Sequence, residues 1–437
     1  MTHDIISRDI KSTKLAFALF VVYIISFFLR IPARVSILGD IRLDLLLVAC
    51  IFVLIIGAKL QKPDEQRIAK YLKIMFIYSI LVLPFVTWPG SVLSKGLPEF
   101  VKAVIFFFFT YSLVLNEKRL KIVVYTFLLA NTFRIAEPLY LNITQDYWGS
   151  VTTFGWDSVD RLAGSPYDVI NANGLAFLIA TVLPFYHYLF GNDGFWRKLI
   201  YWSLLPILLY TMSLTLSRSG ILAVAIIYGV IFLKSNKKFI LSVIGIFGIA
   251  IFFASLNPVQ QDRYLSIFDE DTKSAQSAEG RLTGLKRDFQ VGMAKPIFGH
   301  GLGTSREANW NIGGRDQISH NLWLQIFQEL GIVGLIIFIL YAKEIYKGFL
   351  VTNRSVNSDP NASSFLQKCL PAMQVWLVMN FLFSFASYGL SSYEWYLFGG
   401  FSAVLTRLSW GNYRQKLKSQ VSTGSRSPRE GSRNVST

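Results

Sequence analysis

Charge and cysteine are the two things that this 437-residue sequence has least of. Charged residues make up 16% of the chain against 52% hydrophobic residues, and the mean hydropathy is +0.42. Soluble domains carry about 25% charge, so the composition excludes an ordinary soluble protein and indicates a polytopic membrane protein. The two cysteines, Cys50 and Cys369, lie within apolar runs. They predict neither a disulfide framework nor a metal site, and we expect ordinary buried thiols.

Several signature motifs are also missing. The sequence contains no phosphate-binding Walker loop, no zinc-ligand spacing and no Ser-His-Asp order. The glycines at 299–303 do not follow a strand, which argues against a dinucleotide-binding loop. Of the four histidines, His3 and His187 have surroundings that suggest no chemistry. The sequence therefore predicts no metal and no cofactor.

Long apolar runs dominate what is present. A helix needs about 20 apolar residues to cross the bilayer core. Runs near this length predict an all-α polytopic membrane protein with about twelve transmembrane helices. The candidate spans are Leu15–Phe28, Leu43–Ala58, Tyr71–Val86, Phe100–Leu115, Ile122–Phe133, Ala172–Phe190, Leu199–Leu216, Ile221–Leu233, Phe239–Ala254, Leu322–Tyr341, Phe365–Phe385 and Tyr393–Leu408.

The formal net charge of +16 fits this topology without a nucleic-acid partner. Lysine and arginine crowd the short loops that an inside N-terminus would leave in the cytoplasm, as the positive-inside rule requires. The first outer loop, with Arg30, Arg34 and Arg42, is the exception. We predict that both termini are cytoplasmic, with an N-terminal segment at 1–14 and a basic, disordered tail at 411–437.

Two of the predicted outer, periplasmic loops are long, one at 142–170 and one at 255–319. They divide the chain into a membrane domain at 15–254 with the first nine helices, the large loop, and the last three helices at 320–410. Loops beyond about 12–15 residues are usually functional or disordered. Polar groups gather at this outer rim, whereas the spans themselves are nearly free of charge.

Four arginines fall at that rim. Arg218 lies in a tight turn between two spans, Arg281 opens a helical part of the large loop, Arg161 lies in the other long loop, and Arg134 ends the fifth span. Each has an ordinary interpretation: Arg218 as a snorkelling anchor, Arg281 and Arg161 as solvated loop charges, and Arg134 as a partner of Glu137. Together they could instead hold a polyanion, because guanidinium groups match phosphate bidentately.

A histidine directly precedes the apolar helix predicted from Leu322 to Leu340. His320 could simply neighbour a helix cap at Ser319, or it could act as a base near pH 7. Arginines that stabilise a departing diphosphate and a histidine that accepts the proton of a sugar hydroxyl would suit glycosyl transfer. A transporter should place charges near mid-membrane instead. His300, between glycines, is interpreted as a loop bystander.

Three segments resemble the O-antigen ligase and polysaccharide polymerase family of bacterial envelopes. Leu-Ser-Arg-Ser-Gly at 216–220 is similar to the family's S-R-[S/G]-G span start. Gly-Arg-Leu at 280–282 with Pro-Ile-Phe-Gly-His-Gly-Leu-Gly at 296–303 is similar to its G-R-L…P-L-F-G-x-G-x-G loop. His-Asn-x-x-Leu at 320–324 with Glu-Leu-Gly-Ile-x-Gly at 329–334 resembles its H-N-x-x-L…E-x-G-x-x-G helix.

A looser fourth match is Arg-x-x-Gly at 161–164 with Asn-Gly-Leu-Ala at 173–176. The resemblance covers about 160–338 and implies a glycosyltransferase-C-like layout. It departs from the family at Leu285, where tryptophan is common, which puts the packing of that loop helix in doubt.

The resemblance implies a metal-independent, inverting glycosyltransferase of the bacterial inner membrane with a periplasmic site. Its donor would be a glycan on undecaprenyl diphosphate, held by Arg218 and Arg281, while His320 activates the acceptor. Arg161, Asn321 and Arg134 are further candidate donor or glycan contacts. The acceptor would be a growing glycan, for a polymerase, or lipid A-core, for a ligase. The remote alternative is that this protein is itself a lipid-linked oligosaccharide flippase. If it is a polymerase, a separate flippase and a chain-length regulator are its expected partners. Sugar identity and linkage are not written in these motifs.

Overall fold

The computed structural model of the chain describes residues 2–57, 66–154, 157–191, 194–254, 256, 261, 276–360, 362–387 and 389–424. Over these residues the fold is predominantly α-helical. The helices are α1 (Thr2–Leu29), α2 (Ile31–Arg34), α3 (Ser36–Asp40), α4 (Leu43–Gly57), α5 (Arg67–Leu81), α6 (Pro89–Ser91), α7 (Leu97–Leu113), α8 (Glu117–Gln145), α9 (Ala172–Phe190), α10 (Phe195–Leu214), α11 (Arg218–Lys234), α12 (Lys238–Ala254), α13 (Gln276–Ala294), α14 (Ser305–Asn311), α15 (Leu322–Asn357), α16 (Ser364–Phe383) and α17 (Glu394–Gly424).

Among the residues that the structure describes, four helices are long and apolar enough to cross a membrane: Ser12–Leu29 within α1, α8, α9 and α15. The all-α prediction is confirmed in this coarse form, whereas the count of about twelve spans stays a prediction. Several other predicted spans correspond to helices that are shorter than a full span, such as the 15-residue α4. On α4 Cys50 is exposed and so differs from the expected buried thiol, while Cys369 is buried.

Aromatic side chains fill the centre of the bundle. Tyr393 packs against Phe28 with ring centroids 4.8 Å apart, and Phe28 packs against Phe127 at 5.4 Å. Trp376 lies flat on Phe398, with centroids 3.4 Å apart. These contacts join α1, α8, α16 and α17, so the last helix runs through the core and packs against α7 and α15. It continues to Gly424, whereas we predicted a disordered tail from 411.

The predicted loop at 142–170 contains a β-hairpin that the sequence analysis did not foresee. Strands β1 (Gly149–Phe154) and β2 (Asp157–Leu162) pair antiparallel, with Ser150 opposite Arg161. Helix α8 extends to Gln145, so the hairpin follows that helix almost directly. Together with residues 295–321, 384–387 and 389–393, the hairpin forms what we call the hairpin end of the bundle.

Helix α15 is broken at Gly331, where the backbone has φ 66° and ψ −169°. The sequence predicted one continuous span here. The freed carbonyls of Gln328 and Glu329 accept hydrogen bonds from the N–H of His300 (2.8 Å) and Gly301 (2.9 Å). The N–H of Ile332 donates to the carbonyl of Pro296 at 2.8 Å. We call these contacts of residues 296–303 with residues 328–332 the glycine clamp. Because the clamp pairs these backbone groups, α15 can bend at Gly331 while they remain hydrogen-bonded.

Candidate functional site

Helices α9 and α11 begin side by side at the hairpin end. The side-chain oxygen of Asn173, in the first turn of α9, accepts hydrogen bonds from Arg161 (2.8 Å) and from Ser217, which caps α11 (2.9 Å). Arg161 also donates from Nε to the carbonyl of Thr215 at 2.9 Å. The loose sequence match at Arg161 and Asn173 therefore corresponds to one hydrogen-bonded cluster that joins β2, α9 and α11.

Helix α15 begins at the same end. The N–H of Leu322 donates to the carbonyl of Ser384, at the end of α16, over 2.9 Å. One residue earlier on α16, Phe383 stacks on Phe177 of α9 with ring centroids 4.6 Å apart. The starts of α9, α11 and α15 are thereby held around one end of the bundle.

Each of these three helices has a polar N-cap. The caps are Asn171, Ser217 and Asn321, whose side chains accept from the N–H of Gly174, Gly220 and Leu324. Helix N-termini carry positive partial charge, and three of them at one end favour an anion there. The cap of α15 is thus Asn321 and not Ser319, because the Ser319 hydroxyl is bonded to the backbone of Asn321 instead.

Arg218 is the first residue of α11 and is only 9% exposed. The preceding turn is tight: Leu216 adopts a left-handed φ of 48°, and the N–H of Ser217 donates to the Thr215 hydroxyl. A snorkelling anchor would extend its charged head into water. Burial beside the Arg161 cluster does not fit that interpretation.

Arg134 has a different partner from the one predicted. Its Nε and Nη2 donate to the two carboxylate oxygens of Asp168 at 2.7 and 3.0 Å, and both residues are buried. Glu137 pairs with Arg34 instead, so the predicted Arg134–Glu137 pair is wrong. Arg134 and Glu137 both lie on α8. Asp168, in the loop before α9, can instead face the Arg134 guanidinium and accept two buried hydrogen bonds from it, which a neighbour on the same helix cannot do.

His320 is exposed, whereas Ser319 and Asn321 on either side are buried. The Ser319 hydroxyl donates to the carbonyl of Asn321, and the Asn321 amide donates to the carbonyl of Phe385 at 3.1 Å. The backbone on both sides of His320 is therefore fixed, and the imidazole is presented at the surface immediately before α15. Asn321, a candidate glycan contact from the sequence, is occupied as a helix cap.

Helix α13 carries Arg281 alongside the first part of α15. The rings of Phe289 and Phe327 stack with centroids 6.0 Å apart, and a Cβ on Gly292 would overlap Phe327. Because α13 then leads into the glycine clamp at Gly331, it runs in the same direction as residues 322–330. Arg281 lies about 16 Å along the helix axis from Gly292, on the N-terminal side. On the parallel helix α15, this is the direction from Phe327 toward His320. The Arg281 side chain lies outside the described residues.

The structure therefore places the predicted residues in two adjoining groups. Arg161 and Arg218 lie in one cluster at the starts of α9 and α11, and Arg134 lies beside it through Asp168. His320, Asn321 and the backbone of Arg281 belong to the neighbouring pair of α13 and α15. Both groups lie at the hairpin end.

His300 has a role that the sequence analysis missed. The side chain is 1% exposed; Nε2–H donates to the carbonyl of Val291 (2.8 Å), and Nδ1 accepts from the Thr87 hydroxyl (2.9 Å). Burial lowers the pKa of this imidazole. It therefore ties α13 to the segment before α7 and anchors the glycine clamp. The signal available in the sequence was the spacing of Gly299, Gly301 and Gly303, since all three adopt a positive φ (73°, 125° and 77°) that favours glycine.

A buried carboxylate was missed as well. Glu329 accepts from the N–H of Gly303 at 2.8 Å and from the Gln325 amide at 3.0 Å. The side-chain carbonyl oxygen of Gln325 in turn accepts a hydrogen bond from the N–H of Gly389 at 3.1 Å. This chain connects the glycine clamp to residues 384–393, so the two loops beside the start of α15 are held as one unit.

Residues 203–339 match the family model described as O-Antigen ligase. The match runs from α10 into α15 and contains Arg218, Arg281, His300 and His320, so the resemblance is confirmed for this part of the chain. The hairpin and Arg161 precede it. A search of curated proteins finds no match to the chain.

Proposed function

We propose, from the O-antigen ligase family domain at 203–339, that the protein is an integral-membrane polysaccharide polymerase. It joins undecaprenyl-diphosphate-linked repeat units of an exopolysaccharide or O-antigen at the periplasmic face of the inner membrane. The observation that carries this proposal is the meeting of three capped helix starts, the Arg161–Arg218 cluster and His320 at one end of the bundle. That end combines an anion site with a base.

Arg218 and Arg281 are the proposed donor ligands. As the bond between the anomeric carbon and the diphosphate breaks, negative charge builds on the leaving oxygen. Fixed guanidinium groups and the positive start of α11 stabilise that charge without reorganising. Arg161 already donates hydrogen bonds to Asn173 and to the Thr215 carbonyl. We therefore assign it one of two roles: it contacts the same diphosphate directly, or it acts on the diphosphate through the residues that it holds.

His320 is the proposed base. Its imidazole takes the proton of the acceptor hydroxyl while that oxygen attacks the anomeric carbon from the face opposite the diphosphate. One C–O bond forms and one breaks, the configuration inverts, and the proton on His320 passes to water. Asn321 sets the direction of the α15 start, and Arg134 holds the loop before α9 through Asp168.

The second candidate is an O-antigen ligase, which uses the same donor site with lipid A-core as acceptor. The family description favours it. The loop at 255–319, the longest in this chain but of modest size for an outer-face domain, favours the polymerase. A lipid-linked oligosaccharide flippase is the remote alternative, and it needs no base at the hairpin end. An expected flippase and chain-length regulator would act before and beside the polymerase.

A deletion strain examined by polysaccharide gel separates these functions. Single repeat units capped on lipid A-core identify the O-antigen polymerase, and long polymer stranded on undecaprenyl diphosphate identifies the ligase. Loss of secreted polymer with normal lipopolysaccharide identifies an exopolysaccharide polymerase. Unpolymerised donor trapped in the cytoplasm identifies the flippase.

The site assignment is tested by complementing that strain with variants. His320→Ala should abolish transfer while the protein stays in the membrane. Arg218→Ala should lower the rate by a factor of about 10²–10³, the cost of one lost transition-state contact to a developing oxyanion, and Arg218→Lys should recover part of it. Arg354→Lys, far from the hairpin end, is the control. Full activity of His320→Ala contradicts the base assignment.

A further inference from the structure

A cavity lies at the hairpin end, between the segment before α7 and the short helix α14. Its volume is about 350 Å³, and its walls include Ser94, Lys95, Arg306, Glu307, Trp310 and Asp316. Gly303 also lines it, and the backbone there packs closely on Gly96, where a Cβ would overlap the Leu302 carbonyl. The π-helix at Val92–Gly96, a geometry frequent at functional sites, carries Lys95 into the wall.

The charges around this cavity balance. Arg306 donates to Asp316 through Nε and Nη2 at 2.5 and 2.7 Å, and this ion pair lowers the pKa of Asp316. Lys95 and Glu307 supply one further charge of each sign. A wall with two cations and two anions has no net preference for phosphate, unlike the Arg161–Arg218 cluster. It offers alternating donors and acceptors, which suits a neutral ligand with many hydroxyl groups.

Trp310 gives the cavity an apolar wall. The side chain is 59% exposed on α14, and its ring stands beside charged and hydroxyl side chains. Small-molecule sites combine aromatic or apolar surface with a small number of polar groups, and the wall around Trp310 has both. The C–H faces of sugar rings can lie against such an indole while their hydroxyls reach the polar wall.

We propose that this cavity is a glycan subsite, in which Trp310 stacks on a sugar ring and Glu307, Asp316 and Lys95 bind its hydroxyls. The inference rests on the proposed function, because the glycan is the donor or acceptor of that transfer. Asp316 and His320 are separated by four residues, so their Cα atoms lie within about 14 Å of each other. A chain held in the cavity is thus beside the proposed point of transfer.

The test uses the full-length protein in lipid nanodiscs and oligosaccharides released by mild acid from the lipid-linked pool of the deletion strain. Binding is followed by saturation-transfer NMR. Trp310→Ala should weaken binding about tenfold, and Trp310→Phe should recover most of it. Trp202→Ala is the matched control, because Trp202 is also 59% exposed but lies on α10, outside the cavity. Glu307→Gln provides a second variant if Trp310→Ala does not accumulate.

Kinetics in vesicles show which glycan the cavity holds. A tenfold higher KM for the lipid-linked donor, or for the acceptor, with kcat within about twofold supports the subsite and names its occupant. Equal binding by wild type, Trp310→Ala and Glu307→Gln overturns the proposal. An equal loss of binding in Trp202→Ala also overturns it. So does a Trp310→Ala defect confined to membrane insertion, because that result would identify Trp310 as a lipid anchor. His320→Ala should bind oligosaccharide normally, so failure of the transfer assignment leaves the binding measurement to decide the subsite.

Discussion

The two groups at the hairpin end are built by different means. On the side of α9 and α11, long side chains make the structure: Arg161 holds Asn173, and Arg134 holds Asp168. On the side of α13 and α15, the glycine clamp makes it from backbone groups, with His300 at its centre. Side-chain pairing places charge, whereas backbone pairing fixes position. Arg218, as a proposed diphosphate ligand, needs the first property, and His320, as the proposed base, needs the second. Arg281, the other proposed ligand, lies on α13 and so belongs to the backbone-paired side.

Removing Asp168 should cause the largest loss of stability on the side of α9 and α11. Asp168→Ala leaves Arg134 buried without its carboxylate, and Arg30 loses a contact of 3.7 Å as well. An uncompensated buried charge costs about 3–5 kcal/mol of the free energy of unfolding. Thermal melting of the purified protein in nanodiscs measures the loss.

Two controls sharpen this result. Glu344→Ala removes the carboxylate of the more exposed Lys347–Glu344 pair and should cost less than about 1 kcal/mol. The double variant Arg134→Met, Asp168→Leu replaces the buried pair by apolar side chains and should recover most of the loss. A double variant as unstable as Asp168→Ala would show that the pair does more than satisfy its own charges.

The backbone group should break at Gly331. Gly331→Ala places a Cβ against the carbonyl of Ile297 in a backbone with φ 66°, so strain and overlap add to about 3 kcal/mol. The expected result is little protein in the membrane and a lower melting temperature. Gly229→Ala, in α11 with open space around it, should leave both unchanged. If the two variants behave alike, the clamp does not determine the shape of α15.

The contrast between the groups also explains what the sequence could predict. The starts of α9 at Ala172 and of α15 at Leu322 were predicted, because each opens an apolar run, whereas the predicted cap Ser319 was wrong and Asn321 caps α15. The break at Gly331 was not predicted, since one glycine in an apolar run does not show which distant backbone groups will pair with it. The partner of Arg134 lies 34 residues away in a loop, and helical spacing pointed to Glu137 instead. Contacts across the bundle, and not local propensity, decided both.

The smallest expected effect is the pH dependence of stability that His300 gives to the glycine clamp. Burial lowers the pKa of His300 from its ordinary value of 6.5, and Nδ1 accepts a hydrogen bond that a second proton would displace. Below about pH 6.5 the unfolded chain takes up a proton that the folded chain resists, so stability should fall as the pH drops toward the lowered pKa. His300→Gln keeps a donor for Val291 and cannot titrate. Its melting temperature should be slightly lower than wild type at pH 7.5 but should fall less between pH 7.5 and 5.5. An equal fall in both proteins would mean that His300 is not the titrating group, and that the clamp is sensitive to position alone.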